Sequence, residues 1–246
     1  GTIIAPKNRD IEYILDICRK HKIEVLPTTP TFLRMLAIGN YLRKFPKSVK
    51  IITYGTEMMD QSTLNLLCKS LPKVDFRQTY GLSEIGIVRV KSEKRNSLFM
   101  KIGGEGVKIK IEKNNLKVKS KYQMLGYLNA RSPFDKDGWY NTNDIVTYKG
   151  GFIKIIGRSK DLINVGGLKF MSSDVEDVVL KFPNIFLVKV LGRKNPITGM
   201  HVELIVQPKK GAKISKKELY NYLSNKLPKH MFPRKISINK INVGHR

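Results

Sequence analysis

Between Asp137 and Gly167 the chain sets out, in order, the kinds of side chain that grip a polar ligand: DGWYNTND, then GGFIKIIGRSKDLINVGG. Trp139 and Tyr140 are apolar anchors, and Asp144 follows on a polar turn that holds its carboxylate toward a ligand, or else caps that turn. Phe152, Ile153, Ile155 and Ile156 form a strand that Gly157 and Arg158 end. A second cluster lies upstream in QTYGLSEIG, where Thr79, Tyr80, Gly81, Ser83 and Glu84 bring hydroxyls and a carboxylate beside an aromatic ring. The chemistry of such residues is binding and orientation by charge and hydrogen bonds. None of the four histidines sits in a triad or metal pattern, and no Cys or His cluster suggests zinc.

The elements that must position these groups are legible from periodicity. Asp10 caps a helix whose Ile11, Ile14, Leu15 and Cys18 form one stripe, and Ile23 to Leu26 reads as a short buried strand. Thr29 and Pro30 start a second helix that Gly39 stops. Val49 to Tyr54 is a strand, and Leu64, Leu67, Cys68 and Leu71 mark a third helix. Strands alternating with helices imply an α/β layer with a largely parallel sheet, whose ligand-binding residues gather on loops beyond the strand ends. Gly55 and Tyr80 to Glu84 fall there. From about Ile85 the period becomes two, with Val107, Ile109 and Ile111 opposite Lys108, Lys110 and Glu112. Asn114 and Asn115 are read as the turn of a hairpin in a small antiparallel β-barrel. Beyond Gly167 the pattern is α+β. Capping-box spacings at Ser173 to Glu176 and Ser215 to Glu218 precede helices, with paired strands at Ile185 to Leu191 and Val202 to Val206 between them.

At 246 residues with 41% hydrophobic content the chain can build a substantial core, which argues against disorder. Both cysteines lie at helical spacing among leucines and isoleucines and read as core residues. The net charge of +26 would ordinarily mark a polyanion binder. Lysine greatly outnumbers arginine, however, and alternates with apolar residues along strands, the mark of an AT-rich genome acting on solvent faces. No nucleic-acid partner is therefore expected. No apolar run approaches the ~18 residues that span a bilayer, and no leader opens the sequence, so a soluble cytoplasmic protein is the expectation.

The motifs, in this order, resemble those of the adenylate-forming superfamily of acyl-CoA synthetases, peptide-synthetase adenylation domains and luciferases. DGWYNTND with GRSKDLINVGG is similar to the family's GWxxTGD and GRxKDxIKxxG, QTYGLSE to YGxTE, and IITYGTEMM to FTGGEAL. Gly103 to Asn129 resembles the family's strand-turn-strand run that ends in a Gly-Tyr pair. Ser83 stands where the family has Thr, Thr56 replaces the second Gly, and Asn143 replaces the Gly of TGD, which is tolerable because Asn enters left-handed turns.

The resemblance implies an AMP-forming ligase that uses ATP, Mg²⁺ and CoA or phosphopantetheine to turn a carboxylic acid into an acyl-adenylate and then a thioester. Glu84 matches the Mg²⁺ ligand, Tyr80 the ring against adenine, and Ser83 the hydroxyl that reaches phosphate. Thr79 and Gly81 flank them, and Gly55, Thr56 and Glu57 match the segment beside adenine. Asp144 and Arg158 match the pair on the ribose, Lys160 the hinge, and Gly166 and Gly167 the strand beside the pantetheine tunnel.

It also implies a large-domain portion over 1–158, with an α/β layer to about 90 and the barrel over 91–158, and a small mobile α+β domain over 159–246. The family's phosphate loop is absent from the sequence. LPKHMFP resembles the run before the terminal catalytic lysine, so that either His245 replaces that lysine or the chain ends short of it. The whole reads as the carboxyl-terminal half of an acyl-CoA synthetase-like enzyme, inactive by itself. The alternatives are a domain that loads a carrier protein, a catalytically dead nucleotide- or partner-binding relic, or a polyanion binder. Oligomeric state is not legible.

Overall fold

The computed structural model describes residues 1–241, which divide into two compact units, one over Gly1–Ile155 and one from Ile156 onward. The first opens with α1 (Ile11–Lys20), β1 (Val25–Thr28), α2 (Pro30–Ile38), β2 (Ile51–Tyr54), α3 (Gln61–Ser70) and β3 (Asp75–Gln78). Its three strands pair in parallel in the order β1-β2-β3, as alternating strand and helix patterns require. The helix starts are set by side-chain oxygens. Asp10, Thr29 and Asp60 accept from the backbone amides of Tyr13, Phe32 and Thr63 at 3.1, 3.2 and 2.7 Å. Leu33, Leu36, Ile52, Leu64 and Phe76 bury fully or nearly so between helices and sheet, with the unpaired Cys18 and Cys68 among them.

β1 begins two residues later than the apolar run from Ile23 predicts. The Ile23 amide instead bonds back to Cys18 O at 3.0 Å, closing the end of α1 after Lys22 takes a left-handed φ of 48°.

The rest of this unit is antiparallel: β4 (Tyr80–Leu82), β5 (Gly86–Ser92), β6 (Met100–Gly103), β7 (Val107–Glu112), β8 (Asn115–Ser120), β9 (Tyr140–Lys149) and the start of β10 (Phe152–Arg158), which runs on into the second unit. They form a seven-stranded sheet in the order β4-β5-β6-β10-β9-β8-β7. The path is open, and no closed barrel forms among the described residues. The β7-β8 hairpin turns at Lys113 and Asn114, with φ of 49° and 65°, one residue before the Asn114-Asn115 pair that composition favours. Registration of Glu112 with Asn115 decides this: a two-residue turn with positive φ at both centres matches the twist of the strands.

The second unit contains β11 (Leu162–Val165), β12 (Leu168–Met171), α4 (Ser172–Val179), β13 (Ile185–Asn195), β14 (Gly199–Pro208), α5 (Lys216–Ser224) and β15 (Pro233–Ile238). The sheet runs β12-β11-β14-β13, and β15 joins β14 in parallel. Val175, Val179, Val206, Leu219 and Leu223 pack its helices onto this sheet. The expected box at Ser173 to Glu176 does not form, because the N-cap of α4 is Met171, two residues earlier. Asp174 accepts from the Met171 amide at 2.9 Å, which frees Ser173 to donate to Ile156 O at 3.1 Å and Glu176 to accept from the Val190 amide at 2.9 Å. The second box is half realised: Ser215 accepts from the Glu218 amide at 3.3 Å. His245 lies outside the described residues.

On the exposed face of the β7-β8 hairpin, Glu112 meets Lys110 at 2.9 Å and Lys117 at 2.6 Å. Hydrogen bonds from Lys117 and Lys110 pull its carboxyl down to about 2. The folded value lies below the ordinary one of about 4.3, so this contribution to stability is present above that value and is lost as pH falls toward about 2. A carboxyl-resolved NMR titration should show Glu112 ionised down to about pH 2, and replacing Lys110 and Lys117 with Ala should return it to about 4.3. A midpoint near the ordinary value in the unaltered chain would refute the assignment.

Candidate functional site

The parallel sheet and the antiparallel sheet meet where β3 hands over to β4. Thr79 lies in that link and donates its amide to Tyr54 O at 2.8 Å, which lays the end of β2 beside the start of β4. Gly55 follows immediately. A Cβ there would stand 2.2 Å from Thr79 Oγ1 and 2.7 Å from Thr79 O, so the close approach admits only glycine. Thr56 then turns with φ 67°, and Glu57 reaches back to the first turn of α2, accepting from the Thr31 amide at 3.1 Å and from the Thr31 hydroxyl. In this structure the Glu57 carboxylate is engaged at a helix start, where negative charge is favourable. Gln78, which the sequence reading passed over, ends β3 with its Oε1 buried and without a hydrogen-bond partner.

Tyr80 opens β4 and is 8% exposed; its hydroxyl donates to Asp144 Oδ2 at 2.6 Å. Asp144, 4% exposed, does not stand on an open turn as its polar neighbours suggest; it lies within β9. The ladder explains this. Asn115 pairs with Ile145 and Lys117 with Asn141, so β9 carries extra residues against β8, a bulge over Thr142 to Asp144. Asn143 sits inside it at φ 60°, the left-handed conformation expected of Asn in place of Gly. Thr142 fixes the bulge by donating Oγ1 to Leu116 O at 2.8 Å and accepting the Asp144 amide at 3.1 Å. β4 and β9 are not neighbours in the sheet: β5, β6 and β10 lie between them along the ladder. The Tyr80-Asp144 bond therefore crosses the concave side of the curled sheet.

Ser83 and Glu84 occupy the tight turn from β4 to β5, where a Cβ at Gly81 would come within 2.9 Å of Gly86 O. Glu84 is held twice by the segment after β8. Its carbonyl accepts from the Met124 amide at 3.0 Å, and Oε1 accepts from the Tyr127 hydroxyl at 2.5 Å. That hydrogen bond pushes the Tyr127 phenol upward. Tyr127 is the Tyr of the Gly-Tyr pair, and only its spacing, not its role, was visible in the sequence. Among the described residues no group of three or more His, Cys, Asp or Glu side chains could hold a metal ion.

The remaining residues singled out in the sequence belong to the second unit. Arg158 ends β10 half-buried, and Lys160 is exposed in a 3-10 turn over Ser159–Asp161. Gly166 and Gly167, with φ of 59° and 88°, form the two-residue turn between β11 and β12 and are not part of a strand. The Gly166 amide donates to Thr198 O at 2.8 Å.

No protein-family model matches the chain. Among curated proteins it is 27% identical to the 2-methylpropanoate-CoA ligase CCL4 of Humulus lupulus, over 96% of this chain and 48% of the relative. It is 25% identical to the long-chain-fatty-acid-CoA ligase of Haemophilus influenzae, over 98% of this chain and 47% of the relative. ATP-bound MatB from Rhodopseudomonas palustris superposes with a TM-score of 0.80 at 22% identity, covering 94% of this chain and 49% of that one. The amide bond synthetase McbA from Marinactinospora thermotolerans gives 0.78 at 20% identity, covering 95% and 52%. The chain thus spans about half the length of the curated relatives it matches. Its curated relatives over this span are named as CoA ligases and acyl-activating enzymes, and it shares its fold with these solved structures.

Gly55→Ala should force Thr79 away from the end of β2 and destabilise the first unit by about 1–3 kcal/mol, the usual cost of overpacking. Thermal unfolding would measure it. An unshifted midpoint would mean that the Gly55-Thr79 contact is loose.

Proposed function

We propose that this chain forms the nucleotide-binding and thiol-acceptor part of an AMP-forming ligase. In that reaction a carboxylate attacks the α-phosphate of ATP, pyrophosphate leaves, and the acyl-adenylate passes its acyl group to a thiol as AMP departs. The observation that carries the reading is the buried Tyr80-Asp144 pair beside the Gly55-Thr79 approach: an aromatic ring, a carboxylate and a bare backbone converge within one unit. This set suits a nucleoside, whose base can lie along the ring and close backbone while its ribose hydroxyls donate to Asp144. Gln78 Oε1, buried and unsatisfied, supplies an acceptor for the same ligand. Relatives named as CoA ligases, and a neighbour described as ATP-bound, support the choice of nucleotide and thiol.

In this reading Glu84 meets Mg²⁺. Its single carboxylate fits an ion that arrives on the nucleotide phosphates, because Mg²⁺ usually takes one or two protein carboxylates plus phosphate oxygens and water. Ser83 faces the phosphates, and Thr79, Gly81, Thr56 and Glu57 border the base. Lys160 is the hinge of a small mobile domain over 159–246, a role supported by the compact units dividing between Ile155 and Ile156. Gly166 and Gly167 border the pantetheine path, and CoA is favoured over a carrier protein because the curated relatives are named for CoA. No helix among the described residues is long and apolar enough to cross a membrane. The two unpaired, buried thiols support a reducing, cytoplasmic setting.

Acid-dependent exchange of pyrophosphate into ATP tests the reading. The full-length protein should exchange with a cognate acid, and these 246 residues alone should not, since they contain no Ser/Thr/Gly-rich phosphate loop to stabilise the departing charge. In the full-length protein Asp144→Ala should weaken ATP binding by about ten- to a hundredfold, the loss of one or two charge-assisted hydrogen bonds. Unchanged affinity would remove Asp144 from the nucleotide site.

A further inference from the structure

We propose that the hydroxyl of Tyr80 is a positioning group: it fixes the Asp144 carboxylate so that ribose hydroxyls are recognised, a task separate from any contact its ring makes with the base. The inference rests on the nucleotide reading above and deepens it. The geometry is specific. Tyr80 Oη lies 2.6 Å from Asp144 Oδ2, both side chains are buried, and the bond spans strands that share no ladder.

Asp144 needs such a partner because of where it sits. Its backbone lies in a bulge whose middle residue, Asn143, is in a left-handed conformation, and a bulge re-aims the side chain it carries. Thr142 ties down the Asp144 amide. The phenol holds Oδ2 from the opposite side of the curl. Tyr80 is itself held: its backbone pairs with Val88, and the amide of the preceding Thr79 is bonded to the end of β2. The rigid parallel layer thus sets the direction in which Asp144 presents its acceptors. Phenylalanine would keep the ring and remove the hydroxyl that bonds Asp144 Oδ2.

The test is nucleotide binding to the full-length protein, with ATP and 2′,3′-dideoxy-ATP as probes, for wild type, Tyr80→Phe and Asp144→Asn. Each protein's ratio of the two affinities is independent of how much of the sample is folded. Wild type should favour ATP by at least about tenfold, and Asp144→Asn should remove most of that preference. Tyr80→Phe should reduce the preference, read as the ratio of the two affinities, about fivefold or more. If Tyr80→Phe weakens both nucleotides equally, or changes neither, the positioning role is wrong and Asp144 as ribose acceptor still stands. If wild type does not discriminate, or Asp144→Asn discriminates as well as wild type, the ribose assignment fails and takes this inference with it.

Discussion

A carboxyl group that is 4% exposed must find its hydrogen-bond partners inside the protein, because a buried polar group left unmet costs about 1–3 kcal/mol and a charged one more. At Asp144 that requirement organises the first unit. A bulge in β9 is needed to aim the residue inward, a left-handed Asn143 is needed to form the bulge, and Thr142 is needed to fix it. The phenol that answers from β4 can do so only if the intervening strands curl enough to bring β4 and β9 face to face. The curvature of the antiparallel sheet and the burial of this carboxyl are therefore one constraint seen from two sides.

The parallel layer supplies the fixed frame. Its three helices are started by side-chain caps and its strands are buried on the side of the helices, so the loops at its carboxyl ends begin from a rigid platform. Gly55 and Thr79 are the points at which that platform touches the candidate site. Glu57 adds a brace by reaching the first turn of α2, so the loop after β2 is anchored at both its glycine and its carboxylate.

Much of this was legible in the sequence. Asp10, Thr29 and Ser215 cap the helices they were expected to cap, Cys18 and Cys68 are core residues, and Asn143 takes the left-handed turn that replaced a glycine. These are local signals, fixed within a few residues. What escaped is long-range. Asn-Asp in NTND has the composition of an exposed turn, and only pairing with β8 reveals that Asp144 faces inward. Tyr127 shows its spacing but not its partner, and Gln78 has no local signature; the partner of one and the burial of the other depend on segments far away in sequence. The Ser173-Glu176 spacing misled because Asp174, one position along, is equally able to cap, and Glu176 is better used by the amide of Val190.

The link between Gly166 N and Thr198 O joins two hairpin tips in the second unit. A glycine turn standing alone would be a soft spring, free to bend toward whatever approaches it. Here any pull on the β11-β12 tip is passed into the β13-β14 ribbon, whose ladder runs from Ile185 opposite Pro208 to Asn195 opposite Gly199. The tip behaves as the end of a braced cantilever. Its contour is preset by the ribbon behind it and not by whatever presses on it.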